Sequence, residues 1–186
     1  MAATQLDART ALIVVDLQKI VTSFSAAHPL AEVVRKAARL ADAFREKDLP
    51  VILVNVVGAA PGRTERSHST ASLPPGWSDL LPELNRQPQD RLVSKRTWGA
   101  FTGTGLADDL KSTGVTQVVV CGVATSIGVE STARQAHELG FNVTLAADAM
   151  TDLSAEAHAN SLHEIFPKLG ETGTTQEVIA LLSRRA

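Results

Sequence analysis

Ala11-Leu-Ile-Val-Val-Asp16 is the stretch on which the fold turns: five apolar residues, three of them β-branched, running straight into a carboxylate. A run this short and this uniformly apolar reads as a strand buried on both faces, as in a parallel sheet, rather than the alternating strand of a half-exposed one. Val51-Ile-Leu-Val-Asn-Val56 and Val118-Val-Val-Cys-Gly122 have the same character. Between the first two, Val33, Val34, Ala37, Leu40, Ala41 and Phe44 recur at helical spacing within Leu30 to Lys47, and Asp48-Leu49-Pro50 ends the pattern. The unit is strand-helix-strand.

Working outward, the alternation continues. Strands are expected at Arg91 to Lys95, Gln117 to Gly122 and Asn142 to Ala147, with a weak one at Gly170 to Thr172. Helices are expected at Leu106 to Ser112, Ile127 to Leu139, Ser154 to Phe166 and Gln176 to Leu182. This predicts an α/β fold of three layers, a doubly wound and mainly parallel sheet, in a single domain spanning residues 1–186. The segment from 58 to 78 is too rich in Gly, Pro and Ser for regular structure and longer than an ordinary connection. It is either a lid or a flexible excursion.

Composition narrows the class of ligand. The 186 residues are 44% hydrophobic and 20% charged, enough for one sizeable core. Eighteen Lys and Arg against 20 Asp and Glu leave a net charge of -2, so no overall field favours nucleic acid or an anionic membrane, and a small molecule is the expected partner. The N-terminus has no basic segment followed by an apolar run, and no apolar stretch approaches the roughly 20 residues that span a bilayer, so a cytoplasmic protein is expected. Cys121 is the only cysteine; it allows neither an intramolecular disulfide nor a thiolate metal cluster within one chain.

In an open parallel sheet, ligands bind outside the carboxyl ends of the strands, where Asp16, Lys95 and the turn from Gly122 to Gly128 all fall. Taken singly, Asp16 reads equally well as a turn or capping carboxylate and Lys95 as a solvated surface lysine. Taken together with their neighbours they say more. Leu-Ile-Val-Val-Asp-Leu-Gln18, Val-Ser-Lys-Arg-Thr-Trp-Gly-Ala-Phe101 and Gly122-Val-Ala-Thr-Ser-Ile-Gly-Val-Glu-Ser-Thr-Ala-Arg134 resemble, in order, the three signature blocks of the isochorismatase-like hydrolases. The likeness runs from about Thr10 to about Leu182.

The resemblance implies a Rossmann-like parallel sheet, a catalytic Asp16 and Lys95, a homo-oligomer and a non-proline cis peptide at Val123-Ala124. Many relatives resemble nicotinamidases, whose Asp-Lys-Cys triad forms a thioester; in this chain the cysteine's place falls on Gly128. Glycine has no side chain to carry an acyl group, so a thioester there is excluded. Cys121 precedes the turn within an apolar strand and reads as an inert core residue. The true isochorismatases also have glycine there, and in them the aspartate protonates a vinyl ether that water then hydrolyses. Mapped across, Asp16 is the general acid, Lys95 orients it and holds anionic groups, and Gly128 makes room.

Two features stand apart from that pattern. A cation within about 4 to 6 Å lowers a carboxyl pKa, so an acid at Asp16 needs burial to outweigh Lys95. True isochorismatases resemble Gly-Val-Tyr-Ala-His in the turn, whereas this chain has the amidase-like Gly122-Val-Ala-Thr-Ser126. Val123, Ala124 and Gly128 are expected to face substrate. Trp98 is either an aromatic pocket residue or a packing one, and Gln18 either positions Asp16 or satisfies backbone groups beside it. Arg63, Arg66 and His68 read as a solvated basic stretch that a carboxylated substrate would also suit. No cofactor is expected, and no metal: Asn55 to Arg63 lacks the Asp and His cluster of some nicotinamidases, and His158 and His163 lie about 140° apart on a helix. The competing readings are a catalytically silent binding or assembly module and an amidase using another nucleophile.

Overall fold

The computed structural model describes residues 3–65 and 73–184. Six strands, β1 (Thr10–Val15), β2 (Val51–Val56), β3 (Arg91–Lys95), β4 (Gln117–Val123), β5 (Asn142–Thr151) and β6 (Glu171–Gly173), form one sheet. Their order is β3-β2-β1-β4-β5-β6, and every neighbouring pair is parallel. The chain winds outward from β1 to β3, then returns to lay β4 against the other side of β1. That reversal opens a crevice at the carboxyl ends of β1 and β4.

The apolar runs form buried strands because both faces of the sheet are covered. Ile13 and Val15 pack with Leu106 and Leu110 of α2 (Leu106–Ser112), Ala133 and Ala136 of α3 (Glu130–Glu138), and Phe166. Leu12 and Val14 pack on the opposite side with Leu40 and Phe44 of α1 (Leu30–Arg45) and Val178. Successive side chains of one strand thus serve two cores, which is the three-layer arrangement expected. Of the remaining helices, α4 (Ala155–Asn160) follows β5, α5 (Phe166–Leu169) packs on the α3 side of the sheet and α6 (Thr175–Ser183) lies beside α1 on the other. No helix among the described residues is long and apolar enough to cross a membrane.

Several boundaries differ from the sequence expectation, each for a local reason. The fifth strand runs on to Thr151 through the charged Asp148, whose carboxylate accepts from Thr175 N at 2.6 Å and pairs with Lys36 at 3.1 Å. The stretch expected as one helix from Ser154 to Phe166 is α4, a wider π turn at Ser161–Ile165, and α5. Pro167 sits at the start of α5 and lacks the N–H an unbroken ladder needs. The helix expected from Ile127 begins instead as a π turn, Thr125–Val129, before α3. The short last strand lies one residue beyond its expected place.

Part of the long segment is fixed where it rejoins the body. Ile20 N donates to Trp77 O at 3.0 Å, Asn55 Nδ2 to Ser78 O at 2.8 Å, and Lys19 pairs with Asp79 at 2.8 Å. Arg63 is exposed, while Arg66 and His68 lie outside the described residues.

Candidate active site

Asp16 is the first residue past β1. Its N–H still donates to Val54 O at 2.9 Å, but its φ of 53° turns the chain out of the strand, a conformation aspartate tolerates better than most side chains. Lys95 ends β3, two strand spacings or about 9–10 Å from β1, and its long side chain spans that gap. Its Nζ donates to Asp16 Oδ2 at 2.7 Å and to Thr97 O at 3.1 Å. The pair is nearly sealed from solvent, with side-chain exposures of 2% for Lys95 and 12% for Asp16.

The two carboxylate oxygens differ. Oδ2 takes the lysine, whereas Oδ1 is buried with no hydrogen-bond partner among the described residues. Burial lifts the Asp16 carboxyl to about 6, overriding the pull of the Lys95 charge and its hydrogen bond. The group therefore exchanges its proton near neutrality, in the range useful for general acid-base work.

The third component is the chain after β4. Gly122 has φ 121°, and a Cβ there would stand 2.0 Å from Val15 O, so glycine is what lets β4 approach β1 so closely. The Val123-Ala124 peptide is cis, as the family resemblance implied. Ala124 O accepts from Ile127 N and Val129 N, both at 3.1 Å, closing the turn that carries Gly128. A Cβ on Gly128 would meet Asp16 Oδ2 and Val15 Cγ1 at 3.0 Å and Val123 O at 3.1 Å.

These parts line one cleft of about 530 Å³. Asp16, Lys95, Val123, Ala124 and Gly128 lie on its wall, and Asp16 is its only acidic side chain among the described residues. The rest is largely apolar, and Phe24, Trp98 and Leu153 stand exposed around it. Trp98, 64% exposed, is a cleft residue and not a packing one. Gln18 also borders the cleft, but its amide is occupied by backbone: it accepts from Val56 N at 2.7 Å and donates to Val56 O at 3.1 Å and Trp77 O at 3.4 Å. Gln18 thus anchors the segment beside Asp16 and has no hydrogen bond to the Asp16 carboxylate. Cys121 is fully buried in the α1-side core and its thiol is pushed up to about 12. No group of three or more His, Cys, Asp or Glu among the described residues is placed to hold a metal ion.

The site also contains residues the sequence did not single out. Arg96 lines the cleft, exposed, with no hydrogen bond or ion pair among the described residues. Behind the turn, Asp152 accepts from Ser126 N at 2.7 Å and Ser126 Oγ at 2.8 Å, while its other oxygen caps Leu153 N and Ser154 N. Thr125 Oγ1 lies 2.8 Å from His158 Nδ1. The start of α4 was readable, since Ser154 is its capping residue; the contact of Asp152 with Ser126 and the partners of His158 carried no local signal.

Comparison with known proteins shows the family. Residues 10–177 match the isochorismatase domain. The chain is 39% identical over 180 residues to the isochorismatase family protein YecD of Escherichia coli O157:H7, covering 93% of this chain and 96% of that one. It is 38% identical over 178 residues to the isochorismatase family protein YwoC of Bacillus subtilis (strain 168), covering 92% and 93%. The solved structure of an isochorismatase family protein from Burkholderia thailandensis superposes with a TM-score of 0.91 at 41% identity, over 96% of this chain and 98% of that one. With the match running the length of the sheet that builds the cleft, the chain belongs to the isochorismatase family of hydrolases.

Proposed function

We propose that this hydrolase cleaves a small anionic substrate at a vinyl-ether or related bond, by acid-base chemistry at Asp16 and without a covalent enzyme intermediate. The observation that carries the reading is the Asp16 carboxyl: buried, lifted to about 6 with Lys95 only 2.7 Å away, and keeping Oδ1 free of any partner among the described residues. Protonated Asp16 gives its proton to the vinyl carbon. Water adds to the resulting oxocarbenium carbon and returns a proton to the carboxylate, and the carbon–oxygen bond then breaks to release a carbonyl product and an alcohol. Lys95 holds Oδ2 throughout and stabilises the carboxylate once its proton has left.

Gly128 is read as the counterpart of the family's nucleophilic cysteine. Even a bare Cβ there would press on Asp16 Oδ2 at 3.0 Å, so the position suits a mechanism that needs space beside the carboxyl rather than a thiol. Cys121, buried and with its thiol raised to about 12, does not supply a thiolate in its place. Arg96 supports an anionic substrate, since it brings a guanidinium to the cleft wall with no protein partner among the described residues. Trp98, Val123 and Ala124 offer apolar surface to the substrate body.

The test is turnover of a panel containing isochorismate, amides and carbamoyl compounds by the wild type and by Asp16→Asn. The vinyl ether is expected to be hydrolysed, and the substitution to lower its turnover by about 10²-fold or more. Undiminished turnover in Asp16→Asn would remove Asp16 from the mechanism. Failure to turn over any member while still binding one would favour a silent binding module. Cys121→Ser is expected to keep activity; its loss with the fold intact would favour a thiol route.

A further inference from the structure

Behind the turn that faces Asp16 stand two buried groups the reaction above does not use. Thr125, fully buried, opens the turn directly after Ala124, and its hydroxyl lies 2.8 Å from Nδ1 of His158 on α4. His158 is 7% exposed and packs its ring on His28, with centroids 4.5 Å apart. His28 is tied in turn to the end of β5, its N–H and Nδ1 lying 3.1 and 3.2 Å from Thr151 Oγ1. On its back, therefore, the turn is pinned by α4 through His158 and by the end of β5 through Asp152. On its front, Gly128 sits against the Asp16 carboxylate.

A hydroxyl and an imidazole in a place this dry oblige each other: either one left alone is a buried polar group without a partner. Valine at 125 would fill the same space with no such requirement. The bond therefore specifies where the turn lies, beyond simply filling the interior.

We propose that His158 is a positioning residue of the site: its bond to Thr125 fixes the turn that holds Gly128 against Asp16 and keeps solvent from the carboxyl. The surrounding groups are consistent with a neutral ring in this role. Burial first, then His28 and His163, lower the His158 pKa, and Asp152 alone raises it. The inference rests on Asp16 as the working carboxyl, but its consequence is measurable without turnover. Asp16 owes its raised pKa to burial, so a slack turn that admits water moves Asp16 back toward the ordinary carboxylate range.

The experiment is a carbon-13 NMR titration of the Asp16 carboxyl in the wild type and four variants. Thr125→Val and His158→Phe remove the bond; Thr125→Ser keeps the hydroxyl, and His158→Asn places an amide where Nδ1 stood. The first two are expected to lower the Asp16 midpoint by about one pH unit or more, and the second two to leave it near the wild-type value. A histidine needed only for stability would lower the melting temperature without moving that midpoint. An unchanged midpoint in Thr125→Val overturns the proposal, and that nearly isosteric variant decides the matter if His158→Phe does not fold. The two claims fail separately: undiminished turnover in Asp16→Asn sinks the acid mechanism, whereas an unmoved titration sinks only the positioning role.

Discussion

Two opposing effects act on the Asp16 carboxyl, and burial wins. A lysine at 2.7 Å would by itself make Asp16 a stronger acid, held ionised well below neutrality. The dry end of the sheet reverses that and brings the group to about 6. Gly128 bears on the same balance, because a side chain there would press on Oδ2. Gly128→Ala adds one carbon at 3.0 Å from both Asp16 Oδ2 and Val15 Cγ1, so the neighbours must give by a few tenths of an ångström. We expect kcat/KM to fall about tenfold or more with little change in melting temperature, since small displacements of a reacting group cost rate more than stability. Steady-state kinetics beside thermal unfolding separates the two effects.

At the scale of elements, the site is a consequence of how β1, β3 and β4 end. Gly122 decides how β4 ends: with φ at 121° and no room for a Cβ against Val15 O, an alanine there must part β4 from β1. Gly122→Ala is expected to destabilise the fold by about 3 kcal/mol or more, checked by denaturant unfolding. The central strand and its end were legible because an apolar run that stops at Asp16 announces both a buried strand and a polar end, whereas β3, Arg-Leu-Val-Ser-Lys95, is a largely exposed edge strand with a weaker pattern. The π turns were not legible. They answer to Pro167 and to the tight turn after Ala124, while apolar periodicity reports only that a helix is nearby. The extension of β5 was hidden by Asp148, which looks like a strand breaker until its partners Lys36 and Thr175 are seen. The bond from Thr125 to His158 joins residues 33 positions apart and was beyond any local pattern.

Across the whole molecule, the reversal of strand order between β1 and β4 is what gathers the parts. Residues 79 positions apart, Asp16 and Lys95, meet because β2 lies between their strands and all three run the same way. The two cores on either face of the sheet leave the strand ends as the place where polar groups converge, and the cleft of about 530 Å³ forms there. The sequence therefore indicated which strand-end groups would converge, while the raised pKa of Asp16 depends on burial that only the assembled fold provides.

The decisive measurement for Asp16 as the acid is the pH dependence of kcat/KM for isochorismate, compared between wild type and Asp16→Asn. With Asp16 as the acid, the protonated form is the active one, so the value falls as pH rises through about 6 and that limb is absent from the residual activity of the variant. Activity that instead climbs with pH through the same range would show Asp16 working as a base and contradict the account.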